Sequence, residues 1–557
     1  MILRKEVYFY ALLAVLILPN ILLAFTEQMT LLQQICNIVF PLGCYYLIAT
    51  LTRRFGWSLL LLAPFSLLAG FQVVLIYIYG GSIISTDMFL NFVTSDASES
   101  SELLGSLIYI VSTSLIVDLS PSVIAAILFF KRRKLSSQFI TKNRRIATII
   151  TLAGAALLVA CNLSSNTFSA KNDIYPVNAC YNLAEAVKRY DKLVNSKSTS
   201  QDFKFEATSS HPAEQREIYI MVIGETSRTH NWELFGYNRP TNPNLKLVDN
   251  LVPFDSVITE SNITHKCVPM LVSSASAKDY DNIYKQKSII SAFKEAGFKT
   301  AFFSTQAHTQ TLIDFFGEEA DECFYLRDRS GENSFNPLDG ELVTCVKNEI
   351  EKGANKQFIV LHSYGSHFSY SARYPEEYAY FTPDYPSTPD RKFLAELTNA
   401  YDNSIRYTDD VLNELINTLK SVENAHTSLL YVSDHGEDLF DEGSNRIFHS
   451  STTPSYKQIH VPMFVWLSDG YVASYPQVLE NLKSNAHAQV SSSASFFNTV
   501  LDVAGIETTY RDDTYAVSNS AFTEYPRLYL NDHYEGVPLM SIGMSERDNE
   551  LTLPFAD

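Results

Sequence analysis

Ile218-Tyr219-Ile220-Met221-Val222-Ile223 runs without a break into Gly224-Glu225-Thr226-Ser227-Arg228. A short, continuous β-branched run that ends in glycine and then a polar cluster reads as a buried strand whose carboxyl end carries chemistry. Two more segments repeat the pattern. Leu429 to Ser433 ends in Asp434-His435-Gly436-Glu437, and Phe358 to His362 continues as Ser363-Tyr364-Gly365-Ser366-His367. Lys299 to Ser304 and Val461 to Trp466 are the other strand candidates, alternating with helical stretches. Ser288 to Ala296 stops at Gly297 as a helix C-cap would, and Tyr401 to Leu419 keeps a long helical period. Strands alternating with helices predict an α/β domain with a mostly parallel sheet flanked by helices. Ligands in such sheets collect at the carboxyl ends of the strands, where these polar clusters stand.

Working toward the N-terminus, Ser196 to Glu214 is polar with no apolar period and reads as a linker. Before it, Val177, Cys180, Tyr181, Ala184, Val187 and Tyr190 recur at helical spacing. That pattern fits an amphipathic helix on a membrane surface and equally a helix packed on the globular domain. Five strongly apolar runs come first: Val7 to Phe25, Leu31 to Leu51, Trp57 to Tyr79, Leu107 to Phe130 and Ile146 to Leu163. Each approaches the ~17 to 25 residues a helix needs to cross a bilayer. A cleaved signal peptide accounts for the first run alone, so the N-terminus is expected to be retained. The expected organisation is a five-span transmembrane domain over 1–163, a bridging helix and linker over 164–215, and a catalytic domain over 216–557.

Basic residues mark alternate loops: Arg4 and Lys5, then Arg53 and Arg54, then Lys131 to Lys134 with Lys142, Arg144 and Arg145. The intervening loops hold Glu27, or Asp87, Asp96, Glu99 and Glu102, with no Lys or Arg. This predicts a cytoplasmic N-terminus and a catalytic domain outside the cytoplasm. Asp118 falls inside the fourth run, where a carboxyl either faces a lipid headgroup path or bonds to hydroxyls such as Ser114 and Ser122.

The formal charge of −18 is unevenly shared. The first 163 residues hold 11 Lys and Arg against 7 Asp and Glu, and the remainder holds 32 against 54. So acidic a globular part gives no electrostatic hold on nucleic acid. Of the seven cysteines, Cys36, Cys44 and Cys161 lie in apolar runs, and Cys180, Cys267, Cys323 and Cys345 show no metal-binding spacing. An Asp-His pair at one strand end and a Glu at another, with His367 and His449 further along, make a mixed oxygen and nitrogen donor set that suits zinc. A helix N-cap beside a surface imidazole is the plainer reading of Asp434 and His435. His265, His308 and His460 read as ordinary polar positions.

These motifs together resemble the bacterial phosphoethanolamine transferases of the alkaline phosphatase and sulfatase superfamily, the group of lipid A modifiers and mobilised colistin-resistance enzymes. The likeness rests on Ile220 to Arg228, on Phe235-Gly236-Tyr237-Asn238-Arg239-Pro240-Thr241-Asn242-Pro243, on Tyr401-Asp402-Asn403 and on Tyr431 to Glu437. The family's nucleophile is a threonine five residues before a Val-Pro proline. Here that residue is Thr264, ahead of Val268-Pro269, with Thr226 as its rival.

The resemblance implies one zinc ion held by Glu225, Thr264, Asp434 and His435, with a second ion admitted. It gives His367, His449 and His362 to the phosphate or to that second metal. It further implies a multi-pass monomer of the bacterial inner membrane with a periplasmic catalytic domain. The expected reaction moves phosphoethanolamine from phosphatidylethanolamine to lipid A or another envelope glycan, through a phospho-threonine.

Three rivals stand beside this reading: a phosphoglycerol transferase of the lipoteichoic-acid-synthase type, a membrane-anchored sulfatase or phosphodiesterase, and a catalytically dead sensor. One departure from the pattern is visible. Lipid A modifiers often flank the nucleophile with a cysteine pair, whereas here only Cys267 is near. A replacement bridge between Cys323 and Cys345, or their separate burial, is left open, and the departure loosens the assignment of lipid A as acceptor.

Overall fold

The computed structural model describes residues 5–94 (save 28, 80 and 82), 112, 123, 124, 127, 134–164, 168–329, 336–545 and 548. Two compact units divide the chain: Met1–Phe92, Leu103–Lys188 and Glu442–Arg446 form one, and Val93–Glu102, Arg189–Asp441 and Ile447–Asp557 the other.

The first unit contains α1 (Lys5–Thr26), α2 (Leu31–Ala49), α3 (Phe55–Tyr79), α4 (Thr86–Thr94) and α5 (Ser137–Ser164). Among the described residues, Glu6–Thr26, Leu31–Ala49, Phe55–Tyr77 and Ser137–Ser164 are long and apolar enough to cross a membrane. The expected fourth span, Leu107 to Phe130, with Asp118, lies outside the described residues apart from four isolated positions. α2 and α5 touch through small residues: a Cβ on Gly154 would lie 2.5 Å from Phe40 Cα, so only glycine permits this approach. Some buried polar groups in the unit are hydrogen-bonded, which apolar surroundings favour. Asn20 Nδ2 donates to the carbonyls of Asn37 (2.8 Å) and Tyr175 (2.7 Å), and Asn143 Oδ1 accepts from the Tyr10 (2.8 Å) and Tyr46 hydroxyls.

α5 corrects the expected fifth span. It begins at Ser137 rather than Ile146, so Lys142, Arg144 and Arg145 ride on its first turns instead of in a loop. The Arg144 side chain reaches the carbonyl of Thr50 (Nε to O 3.2 Å) at the end of α2, capping an otherwise open helix terminus.

α6 (Val177–Thr199) crosses from one unit to the other. Its second half is fastened within the catalytic unit by Lys192–Asp281 (2.6 Å), Arg189–Asp281 and Lys197–Glu318 (2.5 Å). The stretch expected as a linker, 196–214, is instead packed. Phe205 is fully buried in the catalytic core, its N–H donates to Glu295 (3.1 Å), and Thr208–Ser209 pairs antiparallel with Ile506–Glu507. Polar composition concealed Phe203 and Phe205, which meet edge to face.

The catalytic unit is built on a seven-stranded sheet. Its strands are β1 (Arg216–Gly224), β2 (Leu251–Phe254), β3 (Lys299–Ser304), β4 (Glu322–Tyr325), β5 (Lys356–His362), β6 (Ala425–Ser433) and β7 (Met463–Leu467), in the order β2-β7-β6-β1-β5-β3-β4. β7 runs antiparallel to both neighbours, and the pairings from β6 to β4 are parallel. The expected mixed, mostly parallel sheet is therefore present. Helices α7 (Thr264–Leu271), α8 (Ile289–Glu295), α9 (Gly340–Glu351), α10 (Leu394–Lys420) and α11 (Ser492–Val503) accompany it. β1, β5 and β6 are buried along nearly their whole length, which is why 218–223, 358–361 and 429–432 within them read as apolar runs; β6 starts earlier than expected, with the polar His426, Thr427 and Ser428. None of the seven cysteines is in a disulfide, so the suggested Cys323–Cys345 bridge does not form; the two lie on β4 and α9.

At the amino end of β1, Glu217 is wholly buried among His211 Nδ1 (2.6 Å), Lys356 Nζ (2.7 Å) and the Tyr219 hydroxyl (3.0 Å). Burial alone would raise this carboxyl, yet hydrogen bonds from His211 and Lys356 hold it below its ordinary value. Such a carboxylate adds stability above its unfolded value of about 4.3 and loses that contribution as the pH falls through its lower folded value. Glu217→Gln is expected to cost about 3 kcal/mol at neutral pH, because it leaves Lys356 buried without its anion. Thermal unfolding of native and variant should converge as the pH falls below the lowered value of the native carboxyl.

Candidate active site

Strand register assembles the site. Gly224 of β1 pairs with Ser433 of β6, Ile223 pairs with His362 of β5, and Ser304 of β3 pairs with the same His362. The residues that follow, Glu225, Asp434, Ser363 and Thr305, therefore leave the sheet at one level and on one edge. Glu225, Asp434 and His435 are each buried, and their ligand atoms lie within 4.8 Å of one another.

Each of the three is held by its backbone as well as its side chain. Asp434 Oδ1 accepts from Thr226 N (3.0 Å) and His435 N (2.6 Å), while Oδ2 is buried with no hydrogen-bond partner. His435 Nδ1 lies 2.9 Å from the Gly436 carbonyl, an acceptor, so Nδ1 carries the proton. Its Nε2 lone pair then faces Asp434 Oδ2 (3.3 Å) and Glu225 Oε1 (3.5 Å). Glu225 Oε1 also accepts the Thr226 hydroxyl (2.6 Å). Thr226 is in the left-handed region (φ +57°), unusual for a β-branched residue. It is fixed there by the Asp434 contact and by the Tyr401 hydroxyl, which donates to its carbonyl (2.7 Å).

Thr264 is the first residue of α7, at the positive end of the helix dipole. Its Oγ1 lies 3.1 Å from His435 Nε2 and 3.3 and 3.4 Å from the two oxygens of Glu225. Thr226 is fully buried with its hydroxyl committed to Glu225, whereas Thr264 is half-buried. Of the two threonines, only Thr264 combines access with contact to the cluster.

Burial and the neighbouring Asp434 charge push the Glu225 carboxyl up to about 7, and burial pushes Asp434 up to about 6. Burial lowers His435. Two desolvated carboxylates and a neutral imidazole aimed at one point are costly without a cation. With the Thr264 hydroxyl they supply four oxygen and nitrogen donors, the number and type of a tetrahedral zinc site. The unpartnered Asp434 oxygen fits a donor set that could hold a metal.

The remaining expected histidines separate. His449 approaches His435 (ring centroids 4.1 Å) and bonds Glu437 (3.1 Å); His367 stacks on Tyr364 and lies 6.4 Å from His449. His362 is buried at the end of β5 against Ser304 Oγ (3.3 Å) and Phe302, and is not one of the three clustered metal-ligating groups. His460 is buried against the carbonyl of Asp255 (2.8 Å), and His308 pairs with Glu318 (3.1 Å), as ordinary polar positions do.

Several further residues brace the site. Arg228 ties the turn after β1 to Asp441 (2.7 Å) and to the carbonyl of Glu437 (3.0 Å). Asp402 is fully buried and gathers Asn231 (2.6 Å), Tyr237 (3.0 Å) and Arg239, which explains why the motifs around 237–242 and 401–403 occur together. Asp339 accepts from Thr305 Oγ1 (2.6 Å), Tyr364 N (2.9 Å) and Gly365 N (2.8 Å), fixing the loop that carries His367. Gly365 (φ +49°) is required there, since a Cβ would lie 2.6 Å from the carbonyl oxygen of Glu225. Gly365→Ala is expected to destabilise the protein by about 1–3 kcal/mol and to displace Glu225, read as a lower melting temperature.

Residues 217–506 match the sulfatase family, and the chain belongs to it. Within that class its relatives carry a narrower name. The phosphoethanolamine transferase EptC of Escherichia coli K12 is 27% identical over 348 residues, 61% of this chain and 58% of that protein. The periplasmic domain of E. coli EptC, solved as a zinc complex, is 25% identical with a TM-score of 0.55, covering 60% of this chain and 96% of that one. The integral membrane phosphoethanolamine transferase EptA from Neisseria meningitidis is 20% identical with a TM-score of 0.74 over 94% of this chain and 99% of that one. This last match concerns the fold. The chain spans under two thirds of the length of the curated relatives it matches first.

Proposed function

We propose that this protein transfers phosphoethanolamine from phosphatidylethanolamine to lipid A or another envelope glycan, with Thr264 as the covalent carrier. The observation that carries the reading is the placement of the Thr264 hydroxyl within 3.1–3.4 Å of His435 and Glu225, beside an unpartnered Asp434 oxygen. The names borne by its relatives, and the zinc bound by the EptC domain, support the choice of group and metal. Glu225, Thr264, Asp434 and His435 would hold one zinc ion. When bound, zinc lowers the pKa of a coordinated hydroxyl and polarises a phosphoryl oxygen.

In the first step a bond forms between Thr264 Oγ1 and phosphorus as the bond from phosphorus to the diacylglycerol oxygen breaks, and the proton ends on diacylglycerol. In the second, the acceptor oxygen bonds to phosphorus and the Thr264 Oγ1 bond breaks, restoring the hydroxyl. His449 and His367, beside His435, are placed to contact the phosphoryl group or a second ion and to exchange these protons. The N-terminal position of Thr264 on α7 favours the negative charge that gathers there. Every group in the scheme comes from one chain, so a monomer suffices.

The alternation of basic loops supports a cytoplasmic N-terminus and a periplasmic catalytic domain in a bacterial inner membrane. Membrane anchoring keeps the site near two lipid-borne substrates. Mass spectrometry of envelope lipids from cells with and without the native protein tests the proposal. A phosphoethanolamine mass gained by lipid A or a core glycan is expected; gain of phosphoglycerol instead would assign the rival transferase chemistry.

A further inference from the structure

We propose that Gln306 is a positioning residue for Glu225, holding one carboxylate oxygen so that the other faces the metal. The inference rests on the zinc reading above. Gln306 lies in the loop after β3, two residues beyond Ser304, and is half-buried at the level where Glu225 and Ser363 leave the sheet. Its Nε2 donates to Glu225 Oε2 (3.0 Å) and to the carbonyl of Ser363 (2.9 Å). Both partners accept only, so the orientation of the amide follows from its surroundings. One side chain thus spans the ends of three adjacent strands, β3, β5 and β1.

The start of the loop is itself anchored. Gln306 N donates to Ser304 Oγ (3.1 Å), and Thr305 Oγ1 donates to Asp339 Oδ1 (2.6 Å). With Oε2 of Glu225 held by the amide, Oε1 is the oxygen turned to His435 Nε2 (3.5 Å) and reached by the Thr226 hydroxyl (2.6 Å). A neutral amide suits this duty for an electrostatic reason. It compensates a desolvated carboxylate without bringing a positive charge that would compete with the cation.

The test compares full-length, detergent-solubilised native protein with Gln306→Met and Gln306→Asn. The first keeps side-chain length without a donor; the second keeps the amide one methylene short of both acceptors. Thr305→Val is the control, because it cuts a hydrogen bond of the same loop that does not reach Glu225. Zinc affinity is read by competition with a chromogenic chelator, beside the melting temperature of the metal-free protein. Both Gln306 variants are expected to weaken zinc binding by about 10- to 100-fold, whereas Thr305→Val lowers the melting temperature and keeps native affinity.

Native affinity in a folded Gln306→Met protein would overturn the assignment while leaving the zinc site intact, and so would an equal loss in Thr305→Val. Should Gln306→Met not fold, Gln306→Asn decides on the same criterion. Failure of the native protein itself to bind zinc would instead bring down the proposed metal site, and this role with it.

Discussion

Thr264→Ala is expected to reduce phosphoethanolamine transfer by at least about 10^3-fold, the scale of loss when a covalent nucleophile is removed, while the zinc site persists. The substitution deletes one oxygen and leaves Glu225, Asp434 and His435 in place, so the metal-ligating cluster keeps three members. The loss should fall on kcat, since the hydroxyl bonds to phosphorus only as the donor's phosphorus–oxygen bond breaks. Thr264→Ser keeps an attacking oxygen and should retain measurable turnover. Thr226→Val makes the instructive contrast. It removes a hydrogen bond to Glu225 (2.6 Å) from a residue with no exposure, and should weaken the site without ending the reaction. Collapse in Thr226→Val with turnover kept in Thr264→Ala, and normal zinc content in both, would point to Thr226 as the carrier.

The second large effect is predicted for Asp434→Asn. The amide oxygen can still accept from Thr226 N and His435 N, as Asp434 Oδ1 does, so the turn should keep its shape. What is lost is the anionic oxygen that has no hydrogen-bond partner. Zinc at 100 times its dissociation constant stabilises a folded protein by about 2.7 kcal/mol. Native protein should show a rise in melting temperature with zinc that a chelator reverses. In Asp434→Asn that rise should vanish, and the metal-free variant should be no less stable than metal-free native protein, because a buried anion facing Glu225 has gone. A zinc-dependent rise of equal size in both proteins would place the stabilising metal elsewhere.

Much of this architecture was legible because its central strands are buried on both faces. β1, β5 and the second half of β6 appear as apolar runs, and each stops where a polar, chemically distinctive cluster begins. The edges were not legible. β2 contains Pro253 and β4 carries Glu322 and Cys323, and short strands interrupted by such residues leave no periodic trace. The start of α5 was missed for a similar reason, since its first turns are basic and polar and only its later part is apolar.

At the site, Glu225, Asp434 and His435 were singled out because each follows closely on a predicted buried strand, and Thr264 because its distance from Pro269 matches a family pattern. Gln306 stands in Ser304-Thr305-Gln306-Ala307-His308, a stretch in which nothing distinguishes it from any polar loop residue. Its contact with Glu225 exists only once β3, β5 and β1 are adjacent. Asp339 was hidden likewise, for its partners Thr305 and Gly365 come from separate segments of the chain.

Peptide mapping of the purified, zinc-loaded protein after brief incubation with phosphatidylethanolamine, in the absence of acceptor, is the most direct test of the mechanism. A single phosphoethanolamine adduct on Thr264, discharged when the acceptor lipid is added, is the predicted result. An adduct on any other residue, or release of diacylglycerol by a zinc-loaded protein that never carries the group, would contradict it.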